Sequence, residues 1–416
     1  MGRFRQFLAR LGPGLVTGAA DDDPSGVVTY SVAGARHGFQ LLWTSWLTWP
    51  MMAAVQLMCS RVGMMTGVGL VGALRQRLPL PLIGVGAVAL LAANTINIGA
   101  DLSAMADAAE LVSGVNSHFW VVLFGSGIAW ATVQLRYATL ARVLKWLTLA
   151  LLAYVVCAFH IGPDWSAVAR ASVPAVPEGR VMWQTIVAIL GTTISPYLFF
   201  WQASQEVEEE RERGRWSTAE RRGASPDEVR QRRADVLLGT FASNAVMFFI
   251  ILTAAITLHA QGLTEITSSR EATRALEPIA GRFAVWLYAL AIIGVGALAV
   301  PTLSGSAAYA LAECFRWNQG LDRKLREAPA FYAVVLLASL GGMVLDFLNV
   351  DPVRALYLSA VLNGLLAPFL LTGILLVAMD RKLMAGQPAS KGLCLLVGFT
   401  ILCLFGAGAG MFLLDR

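Results

Sequence analysis

Three consecutive carboxylates, Asp21, Asp22 and Asp23, followed by Pro24, Ser25 and Gly26, interrupt an apolar run that resumes as Val27-Val28-Thr29-Tyr30. Proline removes a backbone donor and glycine frees the chain, so a helix comes undone here. At membrane depth such a break survives only where its freed backbone groups are buried in protein or line a wet cavity. Acidic groups at that depth mark a pathway for ions or protons. The plainer reading is a helix end with the acids among the lipid headgroups, but the apolar segment that follows favours a continuing span. A second interruption, Gly191-Thr-Thr-Ile-Ser-Pro-Tyr197, again has a proline at its centre, Pro196.

The elements that must position these breaks are membrane helices. The chain has 416 residues, 56% hydrophobic and 14% charged, far below the roughly 25% charged of soluble domains. Runs long enough to span, about 20 residues each, fall near 11–33, 41–62, 82–112, 119–135, 143–161, 182–203, 234–259, 283–312, 330–349, 353–379 and 391–413. About 24 of the 32 lysines and arginines lie on one side of these eleven spans, so the positive-inside rule puts the N-terminus in the cytoplasm and the C-terminus outside. Pro24 and Pro196 open the first spans of two successive five-span units, 11–161 and 182–379, within one transporter domain over 1–380. An odd number of spans per unit inverts the second relative to the first, and paired breaks in such halves point to a secondary transporter with its solute at the midplane. The span in 381–416 is an accessory, and 205–235, rich in Glu and Arg, reads as a solvated cytoplasmic connection that continues a helix for a turn or two.

The run from Gly12 through Asp23-Pro24, the stretch Gln56-Leu-Met-Cys-Ser-Arg-Val-Gly-Met-Met-Thr-Gly-Val-Gly69, Asp101 in the third span and Gly191 to Pro196 together resemble the Nramp family of divalent-metal transporters. The resemblance covers nearly the whole chain. It implies an all-α polytopic membrane protein, a five-plus-five inverted repeat of the neurotransmitter:sodium symporter (LeuT-like) type with about 11 helices, the first and sixth broken. It also implies alternating access, a divalent cation as substrate, no cofactor and no enzymatic activity. The family's first break usually reads Asp-Pro-Gly-Asn; this chain has Asp23-Pro24-Ser25-Gly26, without the asparagine amide. The family's sixth span reads Met-Pro-His; here it is Ser195-Pro196-Tyr197, without the thioether or the imidazole. A glutamate commonly found three residues after the third-span aspartate is replaced by Ala104, and of the polar groups expected in the tenth span only Asn363 remains beside Ala360 and Leu366.

These departures remove soft ligands and bulk. Hard cations take oxygen ligands and keep several waters, whereas softer metals accept nitrogen and sulfur. The expected substrate is therefore a largely hydrated Mg²⁺ or Mn²⁺ in a wider cavity. Asp23 is the charged ligand, Ser195 and the carbonyls around Ala20 and Thr192 are neutral oxygens, and Gly26, Tyr197 and Asn363 line the site. Asp21 or Asp22 would draw cations towards the mouth. The same losses fit a carrier of a small organic or inorganic anion, received at the helix N-termini after Gly26 and Pro196.

With His37, His118, His160 and His259 all at span ends, any coupling falls to Asp23, Asp101, Asp107 or Glu110; Asp101 reads equally as a structural carboxylate. Asn94 and Asn97 line a cavity or bond helix to helix. Trp43, Trp46 and Trp49 suit an aromatic belt. The five cysteines lack metal or disulfide spacing, and most lie in apolar segments. The expected surroundings are the cell's inner (plasma) membrane and a small ionic substrate, with no nucleic acid and no obligate protein partner. An intramembrane protease lacks its motifs, and a sensor lacks an attached domain.

Overall fold

A computed structural model describes residues 18, 21–135, 147–266, 268–348 and 351–413. All regular structure among them is helical. The chain carries helix at each of the eleven places expected: α1 Pro24–His37, α2 Trp43–Thr66, α3 Leu80–Ser113, α4 Ser117–Gln134, α5 Leu152–Ile161, α6 Gly179–Thr193, α7 Pro196–Glu212, α8 Pro226–Thr257, α9 Ala284–Phe315, α10 Pro329–Asp346, α11 Pro352–Ala378 and α12 Lys391–Leu413. The sixth span comprises both α6 and α7. Seven helical stretches among the described residues are long and apolar enough by themselves to cross a membrane.

Both breaks have the same local cause. A residue before proline is pushed out of the helical region, and proline itself fits the first helical position, where its missing N–H costs nothing. Gly18 and Asp21 are helical and Asp22 is a bend. Asp23 is extended (φ −71°, ψ 171°), and Pro24 then starts α1. Likewise α6 ends at Thr193, Ser195 is extended (φ −73°, ψ 130°), and Pro196 starts α7.

The inverted repeat shows in which helices touch. The half-helix α1 packs on α8, and its counterpart α7 packs on α2. Each contact is closed at a glycine: a Cβ on Gly34 would lie 2.2 Å from the Ile251 carbonyl oxygen, and one on Gly63 would lie 2.6 Å from that of Ala203. The third and eighth spans, α3 and α9, run side by side through the centre, and α3 also packs on α10 and α11. The helix α12 rests on the outside of α2, α6 and α11.

Segment 205–235 departs in part from the solvated connection expected. Helix continues to Glu212 and 216–220 are exposed, as expected, but Glu206, Glu208, Glu210, Arg221, Arg232 and Asp235 are buried. Arg232 bonds Glu206 and Asp235, both at 2.8 Å, and also Glu209. Arg221 donates to the Gly67 carbonyl at 3.1 Å, tying the segment to the turn after α2. Charges that read as a wet loop along the sequence thus bind the ends of α2, α7 and α8 together. The short helix at Thr218–Arg221 and α8 each start with a serine–glutamate capping box, Ser217 with Glu220 and Ser225 with Glu228.

The tightest crossing tested by a single residue is α6 on α11, where a Cβ on Gly191 would meet the Ala360 carbonyl oxygen at 2.0 Å. Gly191→Ala should destabilise the protein by about 1–3 kcal/mol through overpacking, read as a lower unfolding midpoint in detergent. Gly398→Ala on α12, where the added carbon meets nothing within 4 Å, should leave the midpoint unchanged or slightly raised.

Candidate functional site

Asp23 stands at the meeting point of the two breaks and is 1% exposed. Its Oδ1 accepts the Gly26 N–H at 2.8 Å and the Ser25 hydroxyl at 2.7 Å, so the carboxylate caps the N-terminus of α1. Its Oδ2 accepts from the Asn97 amide of α3 and the Tyr197 hydroxyl of α7, each at 3.3 Å. One carboxylate thus joins α1, α3 and α7. The Asn97 carbonyl oxygen in turn accepts the Ser359 hydroxyl of α11 at 2.6 Å. Across the breaks, Ser25 meets the Thr192 hydroxyl at 3.2 Å and Tyr30 meets the Thr193 hydroxyl at 3.0 Å.

The remaining expected residues fall in different places. Ser195 is buried beside the break, but its hydroxyl donates to the carbonyls of Gly191 at 2.9 Å and Thr192 at 2.6 Å; it satisfies the C-terminus of α6 instead of facing Asp23. A Cβ added at Gly26 would lie 3.3 Å from Thr192 Oγ1, so any side chain there would press on the contact between the breaks. Asn363 is buried on α11, next to the glycine that crosses Gly191. Ala20 lies outside the described residues. Tyr197 is fully buried with its ring beside Asp23, so the hollow is tight where the loss of side-chain bulk suggested a wide one.

The other acids separate by role. Asp21 and Asp22 are buried instead of standing at a mouth, and both accept from the single Ser243 hydroxyl of α8, at 2.7 and 3.1 Å. Asp101 lies one helical turn beyond Asn97, within electrostatic range of Asp23, is 0% exposed, and neither of its oxygens has a hydrogen-bond partner among the described residues. A buried polar group without a partner is costly, so Asp101 is the acid with most to gain from a cation or a proton. Glu110 instead accepts the Ser117 N–H at 2.6 Å at the start of α4, and Asp107 faces Ser269. Among the described residues, no three His, Cys, Asp or Glu side chains converge closely enough to hold a metal between them.

Asn94 and Asn97, three residues apart on α3, serve different ends. Asn94 bonds the Leu303 carbonyl and Ser306 of α9, both at 2.8 Å, as helix-to-helix glue, whereas Asn97 reaches the site. Tyr30, Ser243 and Ser359 went unremarked. Single hydroxyls in apolar helices carry no spacing signal; only the periodicity of α11 relative to Asn363, four residues on, could have flagged Ser359. Three of the four histidines bridge elements, His37 meeting Thr185 at 3.1 Å, His259 the Ala35 carbonyl at 2.8 Å and His118 Asp346 at 2.7 Å, while His160 is exposed. Of the tryptophans, Trp46 is 47% exposed as a belt residue should be, but Trp43 is buried.

Removing the Asn97 amide takes one of two donors from Asp23 Oδ2, which keeps Tyr197, and one of two acceptors from Ser359, which keeps the Leu356 carbonyl at 2.8 Å. Asn97→Ala should cost about 1–3 kcal/mol of stability, seen as a lower unfolding midpoint; an unchanged midpoint would show that the Asp23–Asn97–Ser359 chain holds nothing together.

The architecture matches known transporters. A manganese transporter of Eremococcus coleocola superposes with a TM-score of 0.76 at 16% identity, covering 97% of this chain and 86% of that one. MhsT, solved in complex with L-phenylalanine, gives 0.60 at 14% identity over 97% and 98%. In sequence, the divalent metal cation transporters MntH of Deinococcus radiodurans and Pectobacterium carotovorum are each 26% identical, covering 91% and 92% of this chain and 84% and 89% of their own length. Residues 14–414 match the natural resistance-associated macrophage protein-like model, and the chain belongs to the Nramp family.

Proposed function

We propose that this multi-pass membrane transporter carries a hard, largely hydrated divalent cation, Mg²⁺ or Mn²⁺, by alternating access, with weak or absent proton coupling. The observation that carries the reading is the donor set around Asp23: one carboxylate with the hydroxyls of Ser25, Thr192 and Tyr197 and the amide of Asn97. Oxygen without sulfur or imidazole selects hard ions. The relatives named as divalent metal cation transporters support a cation of that charge.

Each residue takes a role in this reading. Asp23 is the charged ligand. The Thr192 hydroxyl and carbonyl and the lone pairs of Ser195 are neutral oxygens. Tyr197 covers the site, and Asn97, anchored by Ser359, orients the carboxylate. For Oδ2 to bind a cation it must give up the Tyr197 and Asn97 donors, so loading requires α7 and α3 to shift relative to α1. Asp101, with no hydrogen-bond partner among the described residues, is the carboxylate a cation would pass. With the described histidine contacts spent between helices, no imidazole relay reaches the hollow, which supports weak proton coupling. The membrane is the plasma membrane, with the N-terminus cytoplasmic and the C-terminus outside, as the basic residues prescribe.

The anion reading draws on one observation: α7 has no side-chain cap at its N-terminus. The matching end of α1, however, is already occupied by the negative charge of Asp23, which would repel an anion from the same hollow.

Liposomes containing the purified protein test the proposal. Saturable Mg²⁺ or Mn²⁺ flux is expected in the wild type and none in Asp23→Ala. An internal pH dye should show no matching acidification. Ser195→Met, which adds a thioether, should raise Cd²⁺ flux relative to Mg²⁺. Equal fluxes in wild type and Asp23→Ala would remove that residue from the site. Stabilisation by an organic acid, with no response to any divalent ion, would select the anion carrier.

A further inference from the structure

A cleft of about 620 Å³ separates α2, α8 and the N-terminal part of α12, well away from the hollow at Asp23. Its walls are of two kinds. Trp49, Ala53, Leu57, Leu237 and Leu396 make most of it apolar, while Arg61, Arg232 and Arg233 line it where α2 ends and α8 begins. The helices fix this polarity. Arg61 is near the C-terminus of α2, Arg233 near the N-terminus of α8, and Ser390 and Gly392 line the cleft at the start of α12. At 1.5 Å per residue, the apolar wall from Arg61 back to Trp49 runs about 18 Å into the bilayer. Trp46, Leu238, Phe241 and Leu395 beside it are exposed, as side chains facing lipid are.

Neither Arg61 nor Arg233 has a carboxylate partner among the described residues. Arg61 donates from Nη2 to the carbonyls of Gln387 at 2.9 Å and Pro388 at 3.3 Å, both neutral, and its Nε is buried without a partner among the described residues. Arg233 is exposed and pairs with no carboxylate among the described residues. The nearby acids Glu206, Glu209 and Asp235 are all bound to Arg232. An anion entering the cleft therefore meets two guanidiniums, and whatever is attached to it meets an apolar wall.

We infer that this cleft binds an anionic phospholipid, with its phosphate between Arg61 and Arg233 and one acyl chain laid along α2 towards Trp49. Basic pockets between membrane helices bind acidic headgroups through this combination of charge and depth. The lipid would wedge the accessory helix α12 against α2 and α8, beside the buried Arg232 network that joins α7 to α8. A lipid so placed would set how freely these helices move.

The full-length protein, purified in detergent, is titrated with phosphatidylglycerol, phosphatidylcholine or inorganic phosphate while retained lipid is counted by native mass spectrometry and the unfolding midpoint is followed. Phosphatidylglycerol should be retained and raise the midpoint, and its preference over phosphatidylcholine should fall about twenty-five-fold in the double variant Arg61→Gln, Arg233→Gln, from roughly fivefold per basic residue. Ala54→Phe, which fills the cleft and leaves both arginines, should also abolish retention. Equal retention of the two lipids by the wild type would overturn the inference, as would an unchanged preference in the double variant. Stabilisation by inorganic phosphate alone, at the same concentration, would replace the lipid with a soluble anion and equally overturn it.

Discussion

A carboxylate buried at membrane depth is costly without hydrogen bonds or a counter-ion, and this protein is built around the bonds that Asp23 makes. A main-chain N–H, two hydroxyls and an amide converge on it from α1, α3 and α7. Two of these groups belong to the break it terminates, and Tyr197 belongs to the opposite repeat. The interaction that stabilises a buried negative charge is thus also the one that holds the two repeats in register. A group bound in this way is poised, because each donor it loses in a conformational change leaves a lone pair for a cation.

The rest of the fold supplies the stiffness that makes such a change discrete. The two half-helices cross their partners at Gly34 and Gly63, where backbone touches backbone, and α6 crosses α11 at Gly191 and Gly364. Close crossings of this kind slide or hold; they do not deform gradually. At the charged end, Arg232 gathers three acids from α7 and α8. Removing one partner from a buried ion cluster is strongly destabilising, so the network opposes separation of these helices. The cleft beside it places a second influence on the same helices from the lipid side.

Much of the scaffold was legible along the chain because its causes are local. Proline after Asp23 and after Ser195 dictates an extended residue and a new helix start, and both breaks stand where that rule puts them. Span positions follow from the length of apolar runs. The site was legible only in part. Asp23 stands out as a charge among apolar residues, but the direction of a hydroxyl depends on what else is within reach. Ser195 turned back to the carbonyls of Gly191 and Thr192, and Asp21 and Asp22 turned to Ser243, 221 or more residues away in sequence. The two ends of segment 205–235 depart from a solvated reading for the same reason: charges read one at a time suggest solvent, whereas Arg232 with Glu206, Glu209 and Asp235 closes a largely buried cluster.

The central claim is that a divalent cation sits between the two breaks, on the carboxylate that now joins them. The most direct measurement is a crystal structure of the protein soaked in Mn²⁺, with the ion located by its anomalous scattering. This account predicts a single strong peak at bonding distance from an Asp23 oxygen, with the Tyr197 hydroxyl displaced from that oxygen and the 192–195 stretch facing the ion. A peak elsewhere in the bundle, or an undisturbed Asp23–Tyr197 contact at saturating Mn²⁺, would contradict it.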